Sequence, residues 1–317
     1  MKIYTNNTIS IIATFCFLFL LPLKFFAQQD PHYTQYMFNP LGVNAGYTGS
    51  REALSLVMLH RSQWVGFDGA PSTQTLAIHS PMKNKNMGLG LLLMNDVVGP
   101  HSTISAAASY AYRIKLGNGK LAFGLKAGIQ NHQIKWDKIE YKNTNDNIPN
   151  YGINSVTVPN FDFGMYYNTN SFYAGFEIQH LNAPELYFSD SSATSDSGGV
   201  ARLFRHGTFI MGKAFRISES IVFKPSFILR GAGRIEGIGD LNLCFLFHNK
   251  LWAGVFFRSK YGPGLMLEYN ITSQFRLGYA YDLNTNGLAG TNSGSHEIFI
   301  GYDFNIFKSK VTSPRYF

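Results

Sequence analysis

The chain has 317 residues, 45% apolar and 15% aromatic, with 15% charged and a mean hydropathy of −0.06. That many aromatics excludes a disordered chain, and beyond residue 27 no apolar run of 18 residues exists from which to build a helical membrane protein. The 27 Lys+Arg against 19 Asp+Glu give a net charge of +8, but the basic residues are scattered, which argues against nucleic acid as a partner and reads as general surface charge with some attraction to anionic lipid headgroups.

The N-terminus reads as an export signal over residues 1–27. Lys2 precedes a polar stretch, then the apolar run from Ile11 to Leu21, then Phe25-Phe26-Ala27 before Gln28. A basic start, an apolar core and a small residue at the cut are the parts of a secretory leader. No Cys stands at the cut, so a lipoprotein is not expected. Loss of Lys2 and Lys24 leaves 25 basic residues against 19 acidic, a net charge of +6 on the exported chain. Cys16 falls in the leader, and Cys244, inside the apolar run LNLCFLF, reads as a small buried hydrophobe. No Cys/His spacing suggests structural zinc, and neither metal nor cofactor is expected.

Residues 28–50 (QQDPHYTQYMFNPLGVNAGYTGS) do not alternate and are too polar, and too rich in Asn, Gly and Pro, for a lipid-facing strand. Such a segment would lie under the periplasmic rim of a barrel or fold into its lumen as a plug.

Residues 51–317 read as the barrel itself. Period-two alternation predicts fourteen strands, near 52–61, 72–80, 86–95, 103–115, 119–134, 158–168, 171–179, 205–216, 221–232, 239–248, 251–259, 264–271, 274–283 and 295–306. Leu121, Phe123, Leu125, Ala127 and Ile129 alternate with Ala122, Gly124, Lys126, Gly128 and Gln130; Ile298, Ile300, Tyr302 and Phe304 alternate with Glu297, Phe299, Gly301 and Asp303. One face is apolar and aromatic, the other small or polar. Connections after even-numbered strands are short, whereas 135–157 and 180–204 are long, and the second is rich in Ser, Asp and Gly. Short turns at one rim and long loops at the other suit a transmembrane antiparallel β-barrel of outer-membrane type. Closure is required because an unpaired strand edge in hydrocarbon costs too much. An even strand number brings both termini to one rim, expected to be periplasmic, with the long loops at the cell surface. A soluble β-sandwich would cover itself with charge, which this chain lacks.

Three ordered blocks carry a family resemblance. The first is Gln35-Tyr36-Met37-Phe38-Asn39 with Asn44-Ala45-Gly46-Tyr47-Thr48-Gly49; the second is Arg61, Gln63, Trp64, Gly66, Gly69, Ala70, Pro71 and Thr73; the third is Gly278-Tyr279-Ala280-Tyr281-Asp282 with Ser293-Gly294-Ser295-His296-Glu297-Ile298. With them the chain resembles the PorP/SprF-type outer-membrane proteins of the type IX secretion system in Bacteroidota, over essentially its whole exported length. Ala45-Gly46 departs from the Pro-Ala usual in that family. The resemblance implies a non-enzymatic component of type IX secretion or gliding. Such a component either couples the translocon to periplasmic ring and anchor proteins or supports export and surface attachment of a large client such as an adhesin. Outer-membrane lipid and lipopolysaccharide are its surroundings.

Physical roles can be read beside the resemblance. Asn39-Pro40, Asn44 and Gly49 suit turns; Trp64, where the first strand leaves the membrane, reads as an interface anchor or a lumen-capping contact; His296-Glu297 reads as a satisfied hydrogen-bond pair rather than as chemistry. The nine histidines show no nucleophile elbow and no zinc motif: His101 beside Ser102 and Asp96, His132 near Asp137, and His206 do not make a hydrolase. The competing class is a channel for small or hydrophobic ligands of fatty-acid-channel type, which requires an apolar path through the lumen and a kinked wall strand.

Overall fold

The computed structural model describes residues 30–139, 153–187, 200–232 and 235–304. Its strands are β1 Leu54–Ser62, β2 Ser72–Pro81, β3 Met87–Val98, β4 His101–Leu116, β5 Gly119–Lys135, β6 Ile153–Asn168, β7 Phe172–Gln179, β8 Glu185–Tyr187, β9 Val200–Arg202, β10 His206–Lys213, β11 Phe215–Arg216, β12 Ile221–Ala232, β13 Ile235–Phe247, β14 Leu251–Arg258, β15 Gly262–Asn270, β16 Phe275–Asp282 and β17 Ser295–Phe304. Fourteen of them form one closed antiparallel wall, in which each strand pairs with its neighbours in sequence. β10 pairs with both β7 and β12, and β1 closes onto β17 from Leu54↔Phe304 to Ser62↔His296. The other three lie outside the wall sequence: β8 and β9 pair with each other in the connection after β7, and the two residues of β11 pair with β12.

The alternation sorts side chains as membrane physics requires. Leu125, Ile129, Phe161, Val255, Phe257, Leu265, Leu267, Leu277 and Ile298 project outward and exposed, while Lys126, Asp162, Glu177, Asp240, Arg258, Glu268 and Glu297 are buried on the inner face. A water-soluble sheet sandwich does the reverse. An apolar surface that runs around the whole wall far exceeds the few hundred Å² patch that a soluble monomer tolerates. Predicted and observed strands match closely in the apolar band and diverge at the rim. β6 begins at Ile153, not near 158, and stays in register with β5 out to Lys135↔Ile153. There polar pairs, Gln133↔Ser155 and Asn131↔Thr157 with Asn131 Nδ2 donating to Thr157 Oγ1 at 2.7 Å, break up the apolar face, so the hydrophobic alternation fades before the strand does. The middles of both long connections, and the predicted strand end at 305–306, lie outside the described residues.

Residues 32–49 are buried without a break. The segment bends through two 3₁₀ turns, Pro40–Gly42 and Ala45–Tyr47. Pro40 supplies the fixed φ suited to a first helical position, and Asn44 caps the second turn by accepting from Gly46 N at 2.8 Å. Leu54 and Phe304 face each other at the short-turn rim, so the two ends of the wall do share a rim. Gly49 and Ser50 border the short turns around Lys85 and Asn118, whereas Asp30 lies against His180 and His206, which flank the long connection between β7 and β10. Residues 30–50 therefore cross the lumen from one rim to the other, and Asp30 stands at the opposite rim from the wall ends rather than at the shared rim expected for both termini, because the segment runs up through the lumen before β1 begins.

Candidate functional site

The three sequence blocks meet inside the barrel. Glu297, inward on β17, accepts from two successive backbone groups of the luminal segment: Thr34 N at 2.8 Å on Oε2 and Gln35 N at 2.7 Å on Oε1. Gln35 Nε2 donates to the Glu297 carbonyl at 3.2 Å. Thr34 Oγ1 donates to Asp282 Oδ1 at 2.9 Å and accepts from Arg61 Nη1 at 2.8 Å and Arg258 Nη2 at 3.2 Å, which uses its proton and both lone pairs. Arg61 Nη2 bonds Asp282 at 2.5 Å; Arg258 bridges Asp282 at 3.0 Å and Asp240 at 2.9 Å. Charge-assisted bonds of this kind are about twice as strong as neutral ones.

A second clamp holds the Asn44 turn. Asn44 Nδ2 donates to the Met165 carbonyl at 3.0 Å, and Ala45 N donates to Glu177, whose other oxygen accepts from Lys126 at 3.1 Å. Thr48 Oγ1 lies 2.9 Å from Ser109 Oγ, Gly49 N donates to His79 Nδ1 at 3.0 Å, and Arg113 donates to the Thr48 carbonyl. The wall makes room with glycine. Gly124 and Gly164, register partners across β5 and β6, face the turn; a Cβ at Gly124 would collide with the Ala45 backbone, and one at Gly164 would lie 2.7 Å from Asn44 Oδ1.

Aromatic residues fill the space between the clamps. The Tyr36 hydroxyl accepts from Asn242 at 2.8 Å. Phe38 packs 6.1 Å from both Trp252 and Phe299, with the Lys224 ammonium 5.1 Å above its ring. Tyr47 meets Tyr166 edge-on at 5.3 Å. At the long-connection rim burial raises the Asp30 carboxyl, but the facing His180 and His206 outweigh it and bring it down to about 2. Burial disfavours the His180 cation, and the Asp30 carboxylate holds its pKa above the ordinary value.

The structure thus brings Gln35, Tyr36, Phe38, Asn39, Pro40, Asn44, Tyr47 and Gly49 into the lumen, joins Gln35 to Glu297, and joins its neighbour Thr34 to Arg61 and Asp282. Gln63, Trp64, Gly66 and Pro71 lie apart from these contacts, in the β1–β2 connection: Gln63 N donates to the Pro71 carbonyl at 2.9 Å, Gly66 takes a φ of +93°, and Trp64 stacks on Tyr261 at 6.4 Å over the mouth of the lumen. Trp64 and Tyr261 both border the cavity at that rim. His296 and Glu297 are not a pair. Adjacent strand residues point to opposite faces, so His296 bonds the Tyr279 hydroxyl at 2.6 Å outside while Glu297 holds the segment inside. Tyr281, on the outer side, donates to the Ser293 carbonyl at 3.2 Å. Sequence reasoning missed Arg258, Asp240, Lys126 and Glu177; a charge on the inward phase of a membrane strand was the available signal. His132 bonds Thr103 and Gln130, and Asp96 accepts from Thr73, so neither is part of a hydrolytic constellation.

A closed fourteen-stranded antiparallel wall, apolar outside and charged within, defines an outer-membrane β-barrel. The family model described as "Type IX secretion system membrane protein PorP/SprF" matches residues 25–302. The chain belongs to the PorP/SprF family; it is a non-enzymatic outer-membrane component linked to type IX secretion and gliding, and it associates with components of that machinery. A search of curated proteins finds no match. Among solved structures the chain is similar to the Ralstonia pickettii toluene transporter TbuX (9% identity, 85% of this chain and 93% of that one, TM-score 0.50), the CymD monoaromatic hydrocarbon channel (10%, 88% and 95%, 0.48) and a Pseudomonas aeruginosa FadL homologue (10%, 87% and 95%, 0.47). At these identities the likeness concerns the fold alone.

Proposed function

We propose that this protein is a plugged scaffold of the type IX machinery: residues 30–50 seal the barrel, and the rim bearing the long connections holds a partner at the cell surface. The observation that carries this reading is the unbroken burial of residues 32–49 between two charged clamps. A transport path needs continuous space, whereas here the lumen's charges are spent on the barrel's own N-terminal segment. The signal sequence over residues 1–27 belongs to the same reading, since export delivers the chain to the outer membrane.

The partner at that rim would be a translocon subunit or a large secreted adhesin, and a periplasmic ring or anchor protein would meet the opposite rim. The length of the connections at 136–152 and 180–205 favours a surface client. A gentle-detergent pulldown of the tagged protein from native outer membranes, read by mass spectrometry, tests this. The expected result is a stoichiometric machine subunit or large surface protein; a lone barrel carrying lipid or fatty acid contradicts it and favours the channel reading.

A further inference from the structure

Three chain-distant residues present metal-ligating atoms to one point. Asp30 Oδ1 lies 3.1 Å from His180 Nε2, and Asp30 Oδ2 lies 3.1 Å from His206 Nδ1. The donor atoms of all three lie within 4.8 Å of one another. Tetrahedral zinc with bonds of about 2.0–2.1 Å spaces its ligand atoms about 3.3 Å apart, so the two short separations suit edges of such a site.

The hydrogen bonding around the imidazoles supports the same reading. His180 Nδ1 lies 2.6 Å from Asn160 Oδ1, and Asn160 Nδ2 donates to Asp162 Oδ1 at 2.9 Å. The amide oxygen therefore accepts and Nδ1 carries the proton, which leaves Nε2 as the ring atom facing Asp30, held there by a proton that a metal ion would replace. An outer partner that fixes the tautomer in this way is the usual companion of a metal-bound histidine. His206 Nδ1 is buried and 3.1 Å from the same carboxylate, yet makes no hydrogen bond. Two imidazole nitrogens from the two ends of the β7–β10 connection thus converge on one carboxylate, the donor set that a divalent cation between them would use. His180 also holds a φ of +54°, a left-handed conformation that glycine or asparagine would adopt more easily, and strained backbone of this kind concentrates at ligand sites.

We infer that Asp30, His180 and His206 bind a divalent transition metal of imidazole and carboxylate preference, zinc above all. The three side chains border a cavity of about 350 Å³, which leaves a fourth coordination position for water or a donor from a bound partner. Residues 30, 180 and 206 share no motif spacing, so the sequence carries no zinc signature; the site exists only because the luminal segment reaches this rim. The ion would pin the upper end of that segment to the wall on both sides of the β7–β10 connection.

The test uses the full chain, folded in detergent and carrying a histidine-free affinity tag. The protein is stripped with EDTA, desalted and titrated with ZnCl₂ by calorimetry, with bound metal counted by mass spectrometry. One zinc per barrel is expected. His180→Gln and His206→Gln should abolish binding, Asn160→Ala should weaken it about 10–100-fold, and His132→Gln, whose imidazole bonds Thr103 instead, should leave it unchanged. X-ray absorption at the zinc edge of the unsubstituted protein should show two imidazole nitrogens at about 2.0–2.1 Å and a carboxylate oxygen at about 2.0–2.2 Å, a readout that survives if a variant fails to fold. Absence of bound zinc, retention of zinc by both histidine variants, or an absorption spectrum without imidazole overturns the inference.

Discussion

Glu297 holds two consecutive backbone N–H groups and faces Arg61 at 3.3 Å, all inside the wall. Replacement by alanine leaves two amides and one guanidinium short of a partner where water is scarce. Removing one member of a buried charge pair costs about 3–5 kcal/mol, so the docking equilibrium constant of the segment should fall by roughly two to four orders of magnitude. Amide hydrogen exchange at Thr34 and Gln35 in micelles checks this: Glu297→Ala should accelerate both, and Glu297→Gln, which keeps one acceptor oxygen, should fall between. Unchanged protection in Glu297→Ala would contradict the clamp. At this scale the sequence was legible in part. Arg61, Asp282 and Glu297 stand in motif blocks, but the choice of Glu297 over its neighbour His296 depends on strand phase, and only pairing fixes the phase of each strand. Arg258 and Asp240 lie in no motif and show themselves only as charges on the inward side of β14 and β13.

At the scale of elements, β5 and β6 accommodate the Asn44 turn through the facing pair Gly124 and Gly164. A β-branched side chain suits a strand and should not unfold the wall, but in Gly124→Val it meets the Ala45 backbone. The turn should be displaced, which a thiol probe can read. In a Cys244→Ala background, Ala45→Cys should resist maleimide in the otherwise native barrel and label rapidly when Gly124→Val is added; equal labelling would mean that the glycine is not there to admit the turn. Strand existence was legible from alternation because lipid on one side and charge on the other impose period two. That contrast ends with the hydrocarbon, which is why the rim of β6 reads as loop and why the β8–β9 ribbon, held by Leu186 and Leu203 against Val158, is invisible in the sequence.

For the whole molecule, strand number and closure follow from the hairpin rhythm, whereas the path of residues 30–50 does not. The segment's partners lie as far as 263 residues away in the chain, and a polar, non-alternating stretch is equally consistent with lying under the rim. The proposed placement of the long connections at the cell surface puts Asp30 at the outer mouth. An epitope placed just before Asp30 should then be reached by antibody on intact cells; detection only after permeabilisation would reverse that orientation.

The central claim is that the barrel is sealed by its own N-terminal segment. Ion conductance of the purified full chain in planar bilayers tests it most directly, with a variant lacking residues 31–49 measured beside it. The full chain should show no steady conductance, and the variant should open discrete channels once the clamps have lost their occupant. Steady channels in the full chain, unchanged when residues 31–49 are removed, would show that the segment does not close the lumen and would contradict the account.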